Sequence, residues 1–195
     1  MRQPILQSRP RQAGVAAVEF ALVVIIFLTF VFATLELARL EFLFNTLNEV
    51  TRRAAAGAAT VSFRDANALQ AVQADAVFRT TPGPLVLGDP VTADHVKIDY
   101  LSVSRATWEL KHMTALPSCP ARNRLICMND PHADNCIRFV RARVCASIDS
   151  AGNCDPLNYQ RVFPFLVLPG MKLPPAETIV PAGSLGFRVG DMPCP

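Results

Sequence analysis

The feature that most constrains this chain is an apolar run at residues 14–35, in which Glu19 is the one charged side chain. With a rise of about 1.5 Å per residue, a helix over residues 15–35 is roughly 31 Å long, close to the hydrocarbon thickness of about 30 Å in a bilayer. A buried core helix is the alternative, but core helices rarely contain so many consecutive Val, Ile, Leu and Phe residues without a polar face. The run therefore predicts a membrane span.

Charge on the two sides of the run predicts the orientation of that span. Arg2, Arg9 and Arg11 precede it with no acidic residue among them, and positive residues beside a first span tend to stay in the cytoplasm. The whole chain has 19 Lys and Arg residues against 16 Asp and Glu residues, so the part after these three arginines is balanced. Because phosphate binding needs a basic excess on the folded domain, we expect no nucleic-acid partner.

These observations predict a single-pass protein of the cytoplasmic (inner) membrane, in contact with membrane lipid and with its N-terminus in the cytoplasm. We expect a basic leader at residues 1–14, a transmembrane helix at residues 15–36, and an extracytoplasmic domain at residues 37–195. The last 32 residues contain seven prolines, so the domain should end in a Pro-rich tail, which Cys194 would hold.

Apolar periodicity predicts an α+β fold for the domain. After residue 36 apolar residues recur at intervals of three and four, so the first helix should continue as an amphipathic helix to about Ala59. Ser62 followed by Asp65 predicts an N-terminal cap, after which a second helix begins. Alternation with a period of two predicts strands near residues 94–100 and 140–148. Two further strands are expected at residues 105–116 and 185–189. The predicted fold is a long N-terminal helix packed on a small antiparallel β-sheet domain with disulfides.

The six cysteines all fall on the translocated side of the span, where an oxidising compartment allows disulfides. No C-x-x-C spacing occurs, so disulfides are favoured over a zinc site. If residues 136–145 are extended, their two cysteines lie too far apart to bond. Pairing of Cys127 with Cys136, or of Cys145 with Cys154, would close short loops, but six cysteines allow 15 pairings and the choice stays open. The candidates are Cys119, Cys127, Cys136, Cys145, Cys154 and Cys194.

Residues that could carry catalysis are not arranged in any recognised pattern. The three histidines, His95, His112 and His132, have no metal-ligand spacing. The glycines around Ser184 lack the spacing of a G-x-S-x-G nucleophile turn, and no glycine-rich phosphate loop occurs. We therefore expect no enzymatic activity, no catalytic residues, no metal and no cofactor.

The start of the apolar run has a more specific pattern, GVAAVEF, in which Gly14, Val15 and Glu19 stand in a fixed relation. This pattern resembles the class III signal of type IV pilins, in which a prepilin peptidase cuts after the glycine and a glutamate occupies the fifth mature position. The resemblance implies leader cleavage between Gly14 and Val15. It also implies a role for Glu19 in assembly, where its carboxylate offsets the new terminal ammonium.

A second resemblance is to TadE-like pseudopilins of the tight adherence (Tad) system. It rests on the opening GVAAVEFALVVIIF, on IRFVRARVCA at residues 137–146 and on RVFPFLVLPG at residues 161–170. The resemblance implies a minor pilin-like subunit needed for assembly of an adhesive Flp-type pilus or its secretion machine. Its partners would be prepilin peptidase, other pilins and pseudopilins, and Tad assembly proteins. The span departs from many family members in having no proline, and the cysteine cluster is richer than the family requires.

Two other functions fit the same sequence. The first is an uncleaved single-span anchor that holds a disulfide-linked periplasmic binding domain. The second is a hydrolase that ordinary signal peptidase releases. The first residue of the mature protein distinguishes them: Val15 for the pseudopilin, Met1 for the anchor, and a residue after about Ala56 for the secreted enzyme.

Overall fold

The computed structural model describes residues 13–81, 83–149, 152–165, 170–191 and 194. The expected leader lies outside these residues except for its last two positions. The helices are α1 (Ala13–Ala58), α2 (Ala66–Ala76) and α3 (Pro120–Asn129). The strands are β1 (Val96–Val103), β2 (Leu110–His112), β3 (Phe139–Val144), β4 (Ser147–Ile148), β5 (Cys154–Asp155) and β6 (Glu177–Pro181).

Helix α1 is continuous over 46 residues, which corresponds to about 69 Å. It contains no proline, so every interior residue can donate its backbone hydrogen bond. No part of its most apolar 18-residue window is buried by the described chain, whereas Leu43, Leu47 and Val50 are fully buried. One helix therefore has a bare apolar half and a half that enters the core, as the periodicity predicted.

The sheet against which α1 packs has the strand order β2-β1-β3-β6, and every neighbouring pair is antiparallel. In the central pair, Val96 lies opposite Val144 and Ile98 opposite Ala142. Alternate residues of β3, Val140, Ala142 and Val144, are buried, because side chains along a strand alternate between its faces. The α+β fold predicted from the sequence is confirmed.

Helix α2 packs beside the outer end of α1. Its N-cap is Asp65, whose carboxylate accepts a hydrogen bond from the backbone of Ala68. The two helices approach closely at Gly57, where an added Cβ would lie 2.8 Å from a methyl group of Val72. The absence of a side chain at Gly57 is therefore what permits this distance.

Three disulfides tie the domain together. Cys127–Cys136 joins α3 to the start of β3, and Cys145–Cys154 joins the end of β3 to β5. Cys119–Cys194 joins the start of α3 to the tail, across 75 residues of sequence. The two short loops are those that the spacing allowed, and the long-range pair holds the tail as expected.

Some predicted elements were wrong in position. The strand expected at residues 185–189 is absent, because Leu185 and Gly186 form a turn with positive φ. The strand that completes the sheet is β6. The strand expected at residues 140–148 ends at Val144, and a turn separates it from β4. Only residues 110–112 of the 105–116 segment pair with β1. Helix α3 was not predicted.

Candidate functional site

The expected processing site lies at the start of α1. Gly14 is exposed, and a Cβ placed on it would have no heavy atom within 4 Å. Val15 is 59% exposed. The peptide bond between these two residues is therefore not covered by any described part of the domain.

Glu19 follows Val15 by four residues, which places the two on the same side of the helix about 6 Å apart along its axis. Glu19 is exposed, and it forms no hydrogen bond or ion pair with the described part of the chain. A carboxylate in such an apolar setting favours a cationic partner, and an α-ammonium at Val15 has the required charge. The roles of Gly14, Val15 and Glu19 in processing and assembly stay predictions.

A second polar site lies where the apolar half of α1 ends. Glu36 is 3% exposed, although it directly follows the charge-free segment. Its carboxylate accepts hydrogen bonds from the Tyr159 hydroxyl and from the Val162 amide. The Arg39 guanidinium lies 3.6 Å away on the next turn. A buried carboxylate needs such partners, because burial without them disfavours the charged form strongly.

Arg39 connects the helix to two loops of the domain. Its guanidinium donates to the backbone carbonyls of Leu87 at 2.8 Å and Gln160 at 2.6 Å. It also lies 5.2 Å from the centre of the Tyr159 ring. Burial, and next the hydrogen bond to Glu36, raise the pKa of the Tyr159 hydroxyl, which keeps this group a donor. The ion pair and the two loops thus form one closed polar unit.

An aromatic cluster lies one turn of α1 from this unit, on the side of the expected span. The ring of Phe32 lies 4.7 Å from that of Phe163 and 5.7 Å from that of Phe165. Because Phe32 belongs to the apolar run, the loop that carries the other two rings reaches the level of the expected span.

This junction was not predicted from the sequence. Two signals were available: Glu36 and Arg39 follow the span at a spacing of three, and an aromatic segment occurs at residues 161–165. The spacing identifies an ion pair on a helix, but only the tertiary structure shows which loop covers it.

His95 and Ser184, two of the residues considered above for catalysis, form hydrogen bonds that stabilise the fold. His95 accepts from the amide of Thr92 and completes the turn before β1, and burial lowers the pKa of its imidazole. Ser184 donates to the carbonyl of Thr60, and Leu185 donates to that of Ala59. The tail is thereby docked on the end of α1. Within the described ranges, no group of three or more His, Cys, Asp or Glu side chains is placed to hold a metal ion.

A cluster of one acidic and two basic side chains, Asp99, Arg141 and Arg143, lies on the sheet. Asp99 on β1 accepts from Arg143 at 2.6 Å and from Arg141 at 3.2 Å. Arg143 also donates to the carbonyl of Gly152, which positions the loop between β4 and β5. The carboxylate is thus enclosed by two arginines from the neighbouring strand, an arrangement that links sheet to loop.

Comparison with known proteins gives one match. A family model described as TadE-like protein matches residues 14–56, a range that lies within α1 and contains Gly14, Val15, Glu19 and the Glu36–Arg39 pair. No curated protein and no solved structure matches the chain. The match confirms the resemblance predicted from the opening residues. The similarity associates this chain with Tad pilus components, which are structural and not enzymatic.

Proposed function

We propose that this chain, which is similar to TadE-like proteins over residues 14–56, is a pseudopilin that a prepilin peptidase cuts after Gly14. The mature protein begins at Val15, spans the inner membrane once, and holds its disulfide-bonded domain on the periplasmic side. It serves assembly of a Tad pilus or of its secretion machine, together with other pilins, pseudopilins and Tad assembly proteins. Residues 15–36 form the span and residues 37–195 the domain.

The observation that supports this proposal best is the distribution of apolar and charged residues along α1. The helix has an uncovered apolar half whose one charge, Glu19, lacks a partner in the described chain. A single-span anchor requires only an apolar helix. A carboxylate inside that helix would make it less stable in the membrane, because an ionised group in the bilayer is unfavourable. A subunit whose span packs on like spans gives that carboxylate a cationic partner.

Processing is tested by co-expression of the full chain with a cognate prepilin peptidase. We expect the mass of residues 1–14 to be lost and the mature sequence to begin at Val15. Replacement Gly14→Leu should block the cut, because glycine lets the backbone approach a protease closely. Gly14→Ala is the matched control, which adds one methyl group and should retain most cleavage. An unchanged mass for the unmodified chain would support the uncleaved anchor and contradict the proposal.

Assembly is tested separately with Glu19→Gln. This variant should insert and lose its leader but fail to co-purify with other pilus components, because the ammonium of Val15 then has no anionic partner. Glu41→Gln is the control, since Glu41 is an exposed glutamate of the same helix outside the span. If Glu19→Gln co-purifies like the control, Glu19 has no part in assembly.

A further inference from the structure

The end of the domain nearest the span carries exposed apolar side chains on two loops. One loop turns at residues 85–88 and the other covers residues 159–165. Four of their side chains are more than half exposed: Val86 at 56%, Leu87 at 64%, Val162 at 55% and Phe165 at 53%. We name these four residues the basal surface.

Contacts with α1 fix the level of the basal surface along the helix. The carbonyl of Leu87 accepts from Arg39, which is four residues beyond the last charge-free position. Phe165 contacts Phe32 at a ring distance of 5.7 Å, and Phe32 lies three residues before that position, about 4.5 Å further into the span. The surface thus extends across the level at which the helix leaves the apolar run.

We propose that the basal surface is a second membrane contact, in which Val86, Leu87, Val162 and Phe165 enter the bilayer interface around the point where α1 emerges. This inference rests on the proposed membrane span. The expected occupant is lipid, because Phe165 contacts Phe32 of the apolar run, so the basal surface adjoins the part of α1 that is expected to face lipid. Aromatic and aliphatic side chains at the headgroup level are typical of such contacts.

The polar groups at this level are arranged to allow the contact. Glu36 is buried, paired with Arg39 and hydrogen-bonded by Tyr159. Arg39 in turn donates to loop carbonyls that would otherwise face the membrane without partners. Both charges of this pair are satisfied inside the protein, so the pair adds no unpaired group to the surface that approaches the bilayer. Asp89 and Arg161, which are exposed beside the basal surface, are at the headgroup level, where charged side chains can stay in contact with water. The domain is therefore held against the bilayer by three points: the helix and two loops.

Fluorescence quenching by lipid tests the proposal, because the chain contains a single tryptophan. Trp108 is 71% exposed and lies in the turn between β1 and β2, at the end of the sheet that packs around Ala58. The full chain is reconstituted in phosphatidylcholine vesicles with brominated or unbrominated acyl chains. Phe165→Trp and Val86→Trp are each made in a Trp108→Phe background. Phe27→Trp, inside the run, reports on the span itself.

We expect brominated lipid to reduce the emission of the Phe165→Trp and Val86→Trp variants about twofold, since interfacial residues meet the upper acyl chains. The unmodified chain, with Trp108 alone, should be unaffected. Quenching of Phe27→Trp without quenching of either basal variant would overturn this inference and leave the span intact. Absence of quenching in all three would overturn the span and the inference together. Basal emission that is shifted to shorter wavelength but not quenched would place the surface against a second copy and also overturn it.

Discussion

Tyr100 shows what burial does to one polar group in this domain. Its ring packs edge-on against Phe63 at 5.8 Å, and its hydroxyl has no hydrogen-bond partner among the described residues. Burial raises its pKa to about 12. Glu36, which is equally enclosed, has three partners instead. The polar groups around Glu36 are thus satisfied, whereas the two buried side-chain atoms without a hydrogen-bond partner among the described residues, the Tyr100 hydroxyl and Arg143 Nε, lie elsewhere in the domain.

The raised pKa of Tyr100 leads us to expect a loss of stability at alkaline pH. Its pKa is higher in the folded state than the usual value near 10, so its contribution is complete below pH 10 and is lost as the pH rises toward 12. Between pH 9 and 11 the free energy of unfolding should fall by about 1.3 kcal/mol from this residue. Urea unfolding of the detergent-solubilised chain at several pH values measures the slope.

The Tyr100→Phe variant separates this effect from other alkaline titrations. It should lack most of the decline and should be as stable as the unmodified chain at pH 7, or more stable by about 1 kcal/mol, because it removes an unpaired buried hydroxyl. Tyr159→Phe is the comparison variant: it removes the other tyrosine of the chain, whose pKa is also raised, and should keep the part of the decline that comes from Tyr100. An unchanged slope in Tyr100→Phe would contradict the assignment.

At the scale of elements, helices α1 and α2 pack closely because Gly57 has no side chain. Gly57 lies in the last turn of α1, where glycine is less favourable than alanine by up to about 1 kcal/mol, the value for a helix interior. The nearest atoms of α2 belong to Val72, whose branched side chain has little freedom to move away. Close packing here is therefore obtained against helix propensity.

Gly57→Ala should lower the free energy of unfolding by about 1 kcal/mol, because the overpacking of about 1–3 kcal/mol exceeds the gain in helix propensity. In a double-mutant cycle with Val72→Ala, the two substitutions should couple favourably by at least about 1 kcal/mol. Thermal or urea unfolding of the four proteins provides the measurement. Additive effects would show that the helices separate without strain.

Elements with strong internal periodicity were predictable, and elements defined by distant contacts were not. Helix α1 and strand β1 follow directly from periods near 3.6 and 2. Strand β6 was missed, because it follows Pro174 and Pro175, has Pro181 as its own last residue, and is held in place by pairing with β3. Of the candidate site, the positions of Gly14, Val15 and Glu19 could be located from their pattern. The loops that cover the Glu36–Arg39 pair could not, since they come from residues 87 and 159–162.

The whole molecule is organised by one helix and closed by one long cross-link. The two cysteines of Cys119–Cys194 are 75 residues apart in sequence, whereas those of each of the other two disulfides are 9 apart. A longer loop loses more conformational freedom in the unfolded chain. The enclosed segment contains β3 and β6, so this bond connects the tail to the sheet as a unit.

Loss of the long cross-link should lower the free energy of unfolding by about 4 kcal/mol, from chain entropy alone. The double variant Cys119→Ala with Cys194→Ala measures this in urea unfolding under oxidising conditions. The single variant Cys119→Ala should be equally destabilised if the bond itself, and not either side chain, is responsible. A loss below about 1 kcal/mol would indicate that noncovalent contacts, such as that of Leu185 with Ala59, hold the tail.

Because α1 is one continuous helix, the rotation of the domain about the helix axis is fixed relative to the apolar half of α1. With 3.6 residues per turn, each residue advances about 100° around the axis, so the orientation of the apolar half about this axis also determines the orientation of the domain. One residue inserted at position 41 would turn the domain by about 100° and raise it by about 1.5 Å. Seven inserted residues would restore the rotation of the domain to within about 20° but raise it by about 10 Å. The contact of Phe32 with Phe163 allows neither displacement, so direction and height are set by the same turn of helix.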